Sequence, residues 1–297
     1  MNDSYGKGLL NGFLAFTLWG FLPLYWKLLK AIPAVQIFSH RILWSFVLLV
    51  VLVTIKHRFE DLKVILKDRK TMVYVSLCAF FISCNWYLYI WAVNAGYVIE
   101  ASLGYYMNPL AIVLLGTLVL KEELSLAQKI AFGFAAVGVF NLTFNYGRFP
   151  WVAVILALTF AFYGLFKKLA KVDAVLGLTL ETSLLAPFAL IFILFNEVNG
   201  IGVIGNVPGK TLILLVGVGA ATATPLFWYS KAANTIPLSV IGFLQYIAPT
   251  INLILGVYVF KETFSLTHLV SFSFIWAGLA LYSYTQLKYL KAQKKAS

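Results

Sequence analysis

The chain has 297 residues, of which 61% are hydrophobic and 11% are charged, and its mean hydropathy is +0.88. A soluble domain is closer to half apolar and a quarter charged, so this composition excludes an ordinary soluble protein and predicts an integral membrane protein. The formal net charge of +12 would suggest nucleic-acid binding in a soluble protein. Basic cytoplasmic loops explain it in a membrane protein, so we expect the lipid bilayer, and no nucleic acid, as a partner.

Polar and charged residues divide the sequence into ten apolar segments, each close to the roughly 20 residues that a membrane-spanning helix needs. The first apolar run reaches Leu29, which is too long for a cleaved signal peptide and predicts a retained span. The longest connections, 56–70 and 196–210, are expected to be loops. The predicted fold class is an all-α integral membrane protein with ten transmembrane helices, near residues 8–29, 34–55, 72–93, 98–120, 127–146, 151–169, 174–196, 211–231, 237–260 and 267–287.

Lysine and arginine residues are distributed unequally between the two sides of the predicted membrane. Seventeen fall on the side of both chain termini and five on the other side, while Arg41 lies inside a span. Because the cytoplasmic loops of membrane proteins collect positive charge, this bias predicts that both termini are cytoplasmic.

The sequence repeats itself after 140 residues. Each half contains five predicted spans, and since five is odd, the second half must enter the membrane from the opposite side. We therefore predict two inverted five-helix repeats, residues 1–146 and 147–297, in one integrated membrane domain. Such repeats are typical of secondary transporters, with the substrate site between them. The aligned pairs include Tyr106 with Tyr246, Pro109 with Pro249, Gly116 with Gly256, Lys121-Glu122 with Lys261-Glu262, and Ser125 with Ser265.

Several motifs spread over essentially the whole chain resemble those of the RarD subfamily of the EamA family, in the drug/metabolite transporter superfamily. The resemblance implies a ten-helix permease of the bacterial inner (plasma) membrane. It also implies export of small organic metabolites or of amphipathic drugs such as chloramphenicol-like compounds. The motifs are LWGFLPLYWKLL, SHRILWSF, NWYLYIWAVN, EASLGYYMNPL, ETSLLAP and GFLQYIAPT.

Spans four and nine each carry a proline, Pro109 and Pro249, beside polar residues. A proline in a helix interior removes a hydrogen bond and frees the carbonyl four residues earlier, here that of Tyr105 or Gln245. Free backbone groups are tolerated in a membrane where they are buried in protein or face a water-filled cavity. The two predicted kinks therefore line a substrate pathway or belong to ordinary packed helices, and their polar neighbours favour the pathway. The substrate-pathway candidates are Trp19, Trp86, Tyr89, Tyr105, Tyr106, Asn108, Trp228, Gln245 and Tyr246.

Three charged residues are predicted inside spans or at their ends, where charge is expensive. Arg41 in span two and Glu181 in span seven are equivalent under the 140-residue shift. They either pair with each other, or each satisfies a nearby backbone or loop group. Glu100 begins span four, where a carboxylate suits the positive end of the helix dipole. Alternatively, Glu100 attracts a cationic substrate or carries a proton.

The two Lys-Glu pairs end spans four and nine. We interpret each as a structural corner in which the lysine approaches the last carbonyls and the glutamate lies near the start of the next helix, with gating as the alternative. Ser125 and Gln128 have the spacing of a capping box for span five. Small residues in spans five and ten allow close helix contact within the fold or in a homodimer. They are Gly133, Gly138, Ser271, Ser273, Ala277 and Gly278.

The sequence contains no zinc-protease, serine-hydrolase or nucleotide-binding motif, and its two cysteines lack metal-ligand spacing. We therefore expect no catalytic residue, metal or cofactor, and a protein that is not an enzyme. The sequence favours a secondary transporter with a small-molecule substrate, working by alternating access and driven by a gradient. Proton coupling is left open. A passive membrane channel or a non-transporting membrane protein is the alternative.

Overall fold

A computed structural model describes residues 2–259, 261 and 265–296. These residues form helices joined by short connections, and no strand occurs among them. The twelve helices are α1 (Asn2–Leu28), α2 (Ala34–Ile55), α3 (Phe59–Lys67), α4 (Arg69–Asn94), α5 (Val98–Leu118), α6 (Leu126–Asn145), α7 (Trp151–Ala170), α8 (Ala174–Val198), α9 (Gly209–Thr235), α10 (Leu238–Gln245), α11 (Ile247–Tyr258) and α12 (Leu266–Ala296).

Within the described residues, ten spans are long and apolar enough to cross a membrane, since α3 is short and α10 and α11 together form one span. Each predicted span overlaps one of them, which confirms the all-α, ten-helix fold class. We call the side on which α1 begins the termini face and the side on which α1 ends the distal face. Because an odd number of spans, five, precedes the second repeat, α7 begins at the distal face, whereas its counterpart α1 begins at the termini face.

The corners that end the two proline-containing spans share an unusual backbone conformation. Lys121 has φ 54° and Lys261 has φ 59°, both in the left-handed region that residues other than glycine seldom adopt. The repeat therefore extends from residue identity to backbone conformation. Glu262 of the second corner lies outside the described residues.

One connection that was expected to be a loop contains a helix, α3. Its first turn carries Glu60 and Asp61 and its last turn carries Lys67, which matches the polarity of the helix dipole. Arg58 donates from Nε to Asp61 at 2.7 Å and from Nη1 to Asp173, the N-cap of α8, at 2.9 Å. These ion pairs tie α3 to the second repeat at the termini face. The loop prediction was wrong for residues 59–67, where acidic residues in the first turn and a basic residue in the last turn support a helix.

The second proline-containing span is broken, whereas the first is continuous. Helix α5 runs through Pro109 without interruption, but α10 ends at Gln245 and α11 begins after Tyr246. Pro249 thus lies in the first turn of α11, where its missing N–H would have had no helical partner. The interruption at Tyr246 lies where Pro249 leaves the carbonyl of Gln245 without its helical donor, and a kink at either proline stays a prediction.

The central helices pack mainly against helices of the other repeat. Helix α1 contacts α9 and α11, α2 contacts α8 and α9, α4 contacts α7, and α5 contacts α7 and α10. Helices α6 and α12 pack against each other. A space enclosed by the central helices is therefore bounded by both repeats, which is the arrangement expected of an inverted-repeat transporter.

Small residues bring α6 and α12 together within one chain. A Cβ atom on Gly138 would lie 2.5 Å from the carbonyl oxygen of Ser271, and one on Gly278 would lie 2.7 Å from that of Ala131. Asn141 adds a hydrogen bond to Ser271 Oγ at 2.8 Å. The structure thus uses these small residues inside the fold, and a homodimer stays a prediction.

Replacing Gly138 by valine should destabilise the protein, because the added side chain meets backbone that cannot move without shifting α12. Overpacking a tight contact costs about 1–3 kcal/mol. The midpoint of thermal unfolding in detergent measures the loss. Gly133 is the matched control on the same helix, since nothing lies within 4 Å of a Cβ placed there. Equal midpoints for Gly138→Val and Gly133→Val would contradict the packing assigned to Gly138.

Candidate functional site: a cavity between the repeats

A cavity of about 380 Å³ lies between the two repeats, in the half of the protein nearer the distal face. Its lining comes from the C-terminal halves of α1 and α4, the N-terminal halves of α2, α5 and α7, and the middle of the spans formed by α9 and by α10 with α11. All of these segments lie between the middle of the bundle and the distal face. The side chains of Tyr89 and Tyr105 lie on the wall of this cavity.

Most of the predicted pathway residues line this cavity. They are Trp19, Trp86, Tyr89, Tyr105, Asn108 and Gln245, together with Arg41 and Pro249. Tyr105 and Asn108 are three residues apart on α5 and therefore share one helix face.

Four of the predicted pathway or kink residues lie elsewhere: Tyr106, Trp228, Tyr246 and Pro109 are not among the residues that line the cavity. The ring of Tyr106 packs edge-on against Phe272 of α12 at 5.2 Å, and Tyr246 is buried against α6 and α12. Trp228 packs against the main apolar core. The reason is geometric, because consecutive residues on a helix point about 100° apart, so Tyr105 and Tyr106 cannot face the same space.

Aromatic rings form much of the cavity wall. The ring of Trp19 lies 6.1 Å from that of Phe160, Trp86 lies 5.8 Å from Phe38, and Tyr89 and Tyr105 meet edge to face at 5.8 Å. Edge-to-face contacts at these distances fix ring orientations. Phe38 and Phe160 were not predicted, because an isolated phenylalanine in an apolar span carries no signal that separates a wall from a core.

Three amide side chains line the cavity and carry an oxygen that accepts no hydrogen bond from any described residue. The Oδ1 atoms of Asn108 and Asn252 and the Oε1 atom of Gln245 are buried and accept no hydrogen bond. Asn108 is only 6% exposed and Gln245 only 5%. An unsatisfied buried acceptor costs about 1–3 kcal/mol, so each of these oxygens would gain a hydrogen bond if its side chain turned toward a donor brought by a ligand. Asn252 was missed, although it follows Gln245 by seven residues, which is about two helical turns.

Arg41 is the cation of the cavity. Its Nε donates to Thr222 Oγ1 at 3.1 Å, and its guanidinium carbon lies 5.1 Å from the ring centre of Trp26 and 5.0 Å from that of Trp86. Both distances are within the range of cation–π attraction. Trp26 and Thr222 were missed, because only the packing of α1 and α9 around α2 brings them to Arg41.

The predicted alternative in which Arg41 pairs with Glu181 is wrong. Glu181 instead pairs with Lys167 and accepts a hydrogen bond from the Tyr163 hydroxyl at 3.5 Å. Arg41 is the eighth residue of α2 and Glu181 the eighth residue of α8. Because the repeats are inverted, these equivalent positions lie on opposite sides of the middle of the membrane and cannot meet.

Glu100 lies outside the cavity, at the distal ends of three helices. Its carboxylate accepts hydrogen bonds from the Tyr146 hydroxyl at 2.8 Å and from the backbone N–H of Val152 at 3.0 Å. Arg148 lies 3.2 Å from the same carboxylate, whose side chain is 1% exposed. Glu100 thus joins the start of α5 to the end of α6 and the start of α7.

The termini face is closed by contacts between the repeats. The carboxylate of Glu122 accepts hydrogen bonds from the backbone N–H groups of Leu238 at 2.7 Å and Ser239 at 2.8 Å, at the start of α10. Within the second repeat, Lys168 donates to the carbonyl of Ile236 at 2.5 Å, in the connection just before α10.

The expectation that Glu122 lies near the start of the following helix was wrong. Ser125 and Gln128 cap α6 with a complete capping box, as predicted, so that helix start needs no further acceptor. The N-cap of α10 is Pro237, which has no side-chain cap, and Glu122 supplies that cap from the other repeat.

Comparison with known proteins agrees with this architecture. The EamA-like transporter family matches residues 6–144 and 150–284, one segment in each half of the chain. The chain is 44% identical to the "Uncharacterized transporter YojE" of Bacillus subtilis (strain 168), covering 97% of both proteins. It is 37% identical to "Protein RarD" of Escherichia coli (strain K12), covering 93% of both.

A solved crystal structure has the same fold, with a TM-score of 0.72 at 19% identity, over 96% of this chain and 99% of that chain. The relative "Chloramphenicol-sensitive protein RarD" of Pseudomonas aeruginosa is 27% identical over 98% of both chains. The two family matches together span nearly the whole sequence, and the resemblance to RarD proteins is confirmed. This chain is a multi-pass membrane protein that belongs to the EamA-like transporter family.

Proposed function

We propose that the protein is a secondary transporter that moves small organic solutes across the bacterial cell membrane by alternating access. The observation that carries this proposal is the cavity between the inverted repeats, with aromatic walls and three unpartnered amide oxygens. Buried polar groups are expensive in a membrane unless they serve a ligand or a partner. A membrane transporter role also follows from the family.

The distribution of positive charge supports an orientation with both termini in the cytoplasm. In that orientation the distal face is external, and we infer from the position of the cavity that this state faces outward. Between Gln245 and the termini face, the side chains of Ile241 and Leu238 on α10 are fully buried. An exporter would load its substrate in the opposite state and release it from this one.

The arrangement favours a transporter over a passive channel. A channel needs a continuous polar path, whereas here the polar cavity residues end at the middle of the bundle and the buried side chains of α10 beyond Gln245 include Phe243, Ile241 and Leu238. A non-transporting membrane protein gives no reason for the amide side chains of Asn108, Gln245 and Asn252 to line one cavity between the repeats.

Reconstituted vesicles test the proposal directly. Uptake and efflux are measured for a metabolite panel that includes chloramphenicol, with and without a pH gradient, and the pH gradient also decides proton coupling. We expect at least one solute to move faster than in empty vesicles. If none does, the transporter proposal is wrong.

Truncating the cavity amides should slow transport without unfolding the protein. We expect Asn108→Ala and Gln245→Ala each to lower the initial rate about 2- to 10-fold, the equivalent of one hydrogen bond of 0.5–1.5 kcal/mol. The matched control is Asn145→Ala, an exposed asparagine at the end of α6 that bonds within its own helix. Wild-type rates in both cavity variants would remove α5 and α10 from the pathway.

A further inference from the structure

Arg41 is a cation without a counter-ion in the part of the protein that the structure describes. It lies about 10 Å along α2 from the distal end, inside a membrane span. Its one hydrogen bond to a described protein group goes from Nε to the neutral hydroxyl of Thr222. The two terminal nitrogens of the guanidinium therefore have no described acceptor, although they belong to a side chain that lines the cavity.

The surroundings hold Arg41 in place but do not neutralise it. The rings of Trp26 and Trp86 flank the guanidinium at about equal distances, 5.1 and 5.0 Å. Cation–π contacts restrain its position, yet the positive charge persists. Lys167, a buried cation of the second repeat, differs from Arg41 because Glu181 pairs with it as a counter-ion.

A ligand that completes this site needs an acceptor of negative charge for Arg41. The planar guanidinium binds a carboxylate or a phosphate through parallel hydrogen bonds, which are about twice as strong as neutral ones. The aromatic walls favour a flat apolar body, and the unpartnered oxygens of Asn108, Gln245 and Asn252 favour a hydrogen-bond donor. A cavity of about 380 Å³ is at the small end of ligand pockets, which suits a single-ring compound.

We propose that the cavity binds a small aromatic carboxylate that carries a hydrogen-bond donor, with its carboxylate on Arg41, its ring against the aromatic wall and its donor toward the amide oxygens. This inference rests on the proposed function and names the substrate class of the same cavity. Arg41 is then a binding and specificity residue.

Binding of matched single-ring probes tests the inference in purified protein. The probes are 4-hydroxybenzoate, its neutral amide 4-hydroxybenzamide and its cationic analogue 4-hydroxybenzylamine, and the readout is isothermal titration calorimetry in nanodiscs of phosphatidylcholine. We expect the carboxylate to bind about 10- to 100-fold more tightly than the amide, as one charge-assisted interaction would produce. Arg41→Gln should abolish this preference, and Arg41→Lys should retain part of it.

The matched control is Lys30→Gln, which removes a positive charge from the connection at the same face, outside the cavity lining. It should leave the carboxylate preference unchanged. A monodisperse elution profile and an unchanged unfolding midpoint show that Arg41→Gln is folded. Arg41→Lys provides a second reading if that variant does not fold, because it keeps the charge but loses the planar pair of hydrogen bonds.

Several results would overturn the inference. These are equal or weaker binding of 4-hydroxybenzoate relative to the amide or amine, no binding of the carboxylate, or an undiminished preference in Arg41→Gln. Two results together would identify a lipid phosphate as the partner of Arg41. Carboxylate binding would be lost when phosphatidylglycerol replaces phosphatidylcholine, and the wild type, but not Arg41→Gln, would retain the lipid. Transport of neutral solutes without a carboxylate preference would leave the proposed function standing and overturn this substrate class alone.

Discussion

Replacing Glu181 by leucine should destabilise the protein by about 3–5 kcal/mol, because it leaves the ammonium group of Lys167 buried without its counter-ion. Both side chains are 5% exposed and join the adjacent helices α7 and α8. The Tyr163 hydroxyl is the other described hydrogen-bond partner of this carboxylate. Urea or thermal unfolding in detergent, followed by circular dichroism, measures the loss.

The double variant separates the cost of an orphaned charge from the value of the pair. Lys167→Met with Glu181→Leu removes both charges at similar volume, and such replacements of buried pairs are often neutral or stabilising. We therefore expect the double variant to recover most of the stability that Glu181→Leu loses. A double variant as unstable as the single one would mean that the pair itself, rather than the unpaired lysine, determines the loss.

An exposed pair provides the control for these variants. On α3, the Nζ atom of Lys63 lies 2.7 Å from the Oε1 atom of Glu60, and the two side chains are 64% and 80% exposed. Exposed ion pairs contribute little, since both partners remain hydrated when the pair is broken. Glu60→Leu should therefore leave the unfolding midpoint close to that of the wild type. A comparable loss in both variants would show that neither reports on burial.

The fold was largely predictable because the signal for it is carried by many residues at once. Apolar length defined the ten spans, and an odd number of spans per repeat determined that the halves are inverted. Local chemistry was also readable where it is contained in a few consecutive residues, as in the capping box of Ser125 and Gln128. The difference between the two proline-containing spans was not readable, since the α5 segment contains the same tyrosine and proline as the broken span and stays continuous.

The candidate site was predictable only in part, because side-chain partners depend on packing between helices that are distant in sequence. Asn108, Gln245 and Trp86 were found since polar or large aromatic residues stand out in an apolar span. The partners of Arg41 and Glu181 were not found, because the repeat suggested a pair whereas its inversion separates them. Lys167 lies one turn before the end of α7, and that proximity to α8 was the signal available for its pairing with Glu181.

Replacing Glu122 by glutamine should weaken the closure of the termini face. The first turn of α10 has unpaired N–H groups and a partial positive charge, and Glu122 satisfies two of these groups with one carboxylate. The neutral amide keeps the size of the side chain but provides one acceptor oxygen and no charge. Since Glu122 belongs to the first repeat and α10 to the second, these hydrogen bonds must break when the repeats separate at this face.

Cysteine labelling measures this opening. Ser239 is 2% exposed, so a cysteine at this position, in a background where Cys78 and Cys84 are replaced by serine, is protected while the face is closed. We expect Glu122→Gln to raise its rate of labelling by a membrane-impermeant maleimide about tenfold, which corresponds to the loss of one charge-assisted hydrogen bond of roughly 1.5 kcal/mol. Vesicles of each orientation show from which side the reagent enters.

The neighbouring Glu123 is the matched control, since it has the same chemistry in the same corner. No hydrogen bond or ion pair joins it to another described residue, so Glu123→Gln should label at the parental rate. If Glu122→Gln labels no faster than Glu123→Gln, the carboxylate is a local cap that does not control access. If it labels faster, the hydrogen bonds from Glu122 to α10 stabilise the closed termini face. Opening of the cavity to that face then requires other interactions that compensate for their loss. By the inversion of the repeats, the start of α5 at the distal face is the position where a corresponding cap would form.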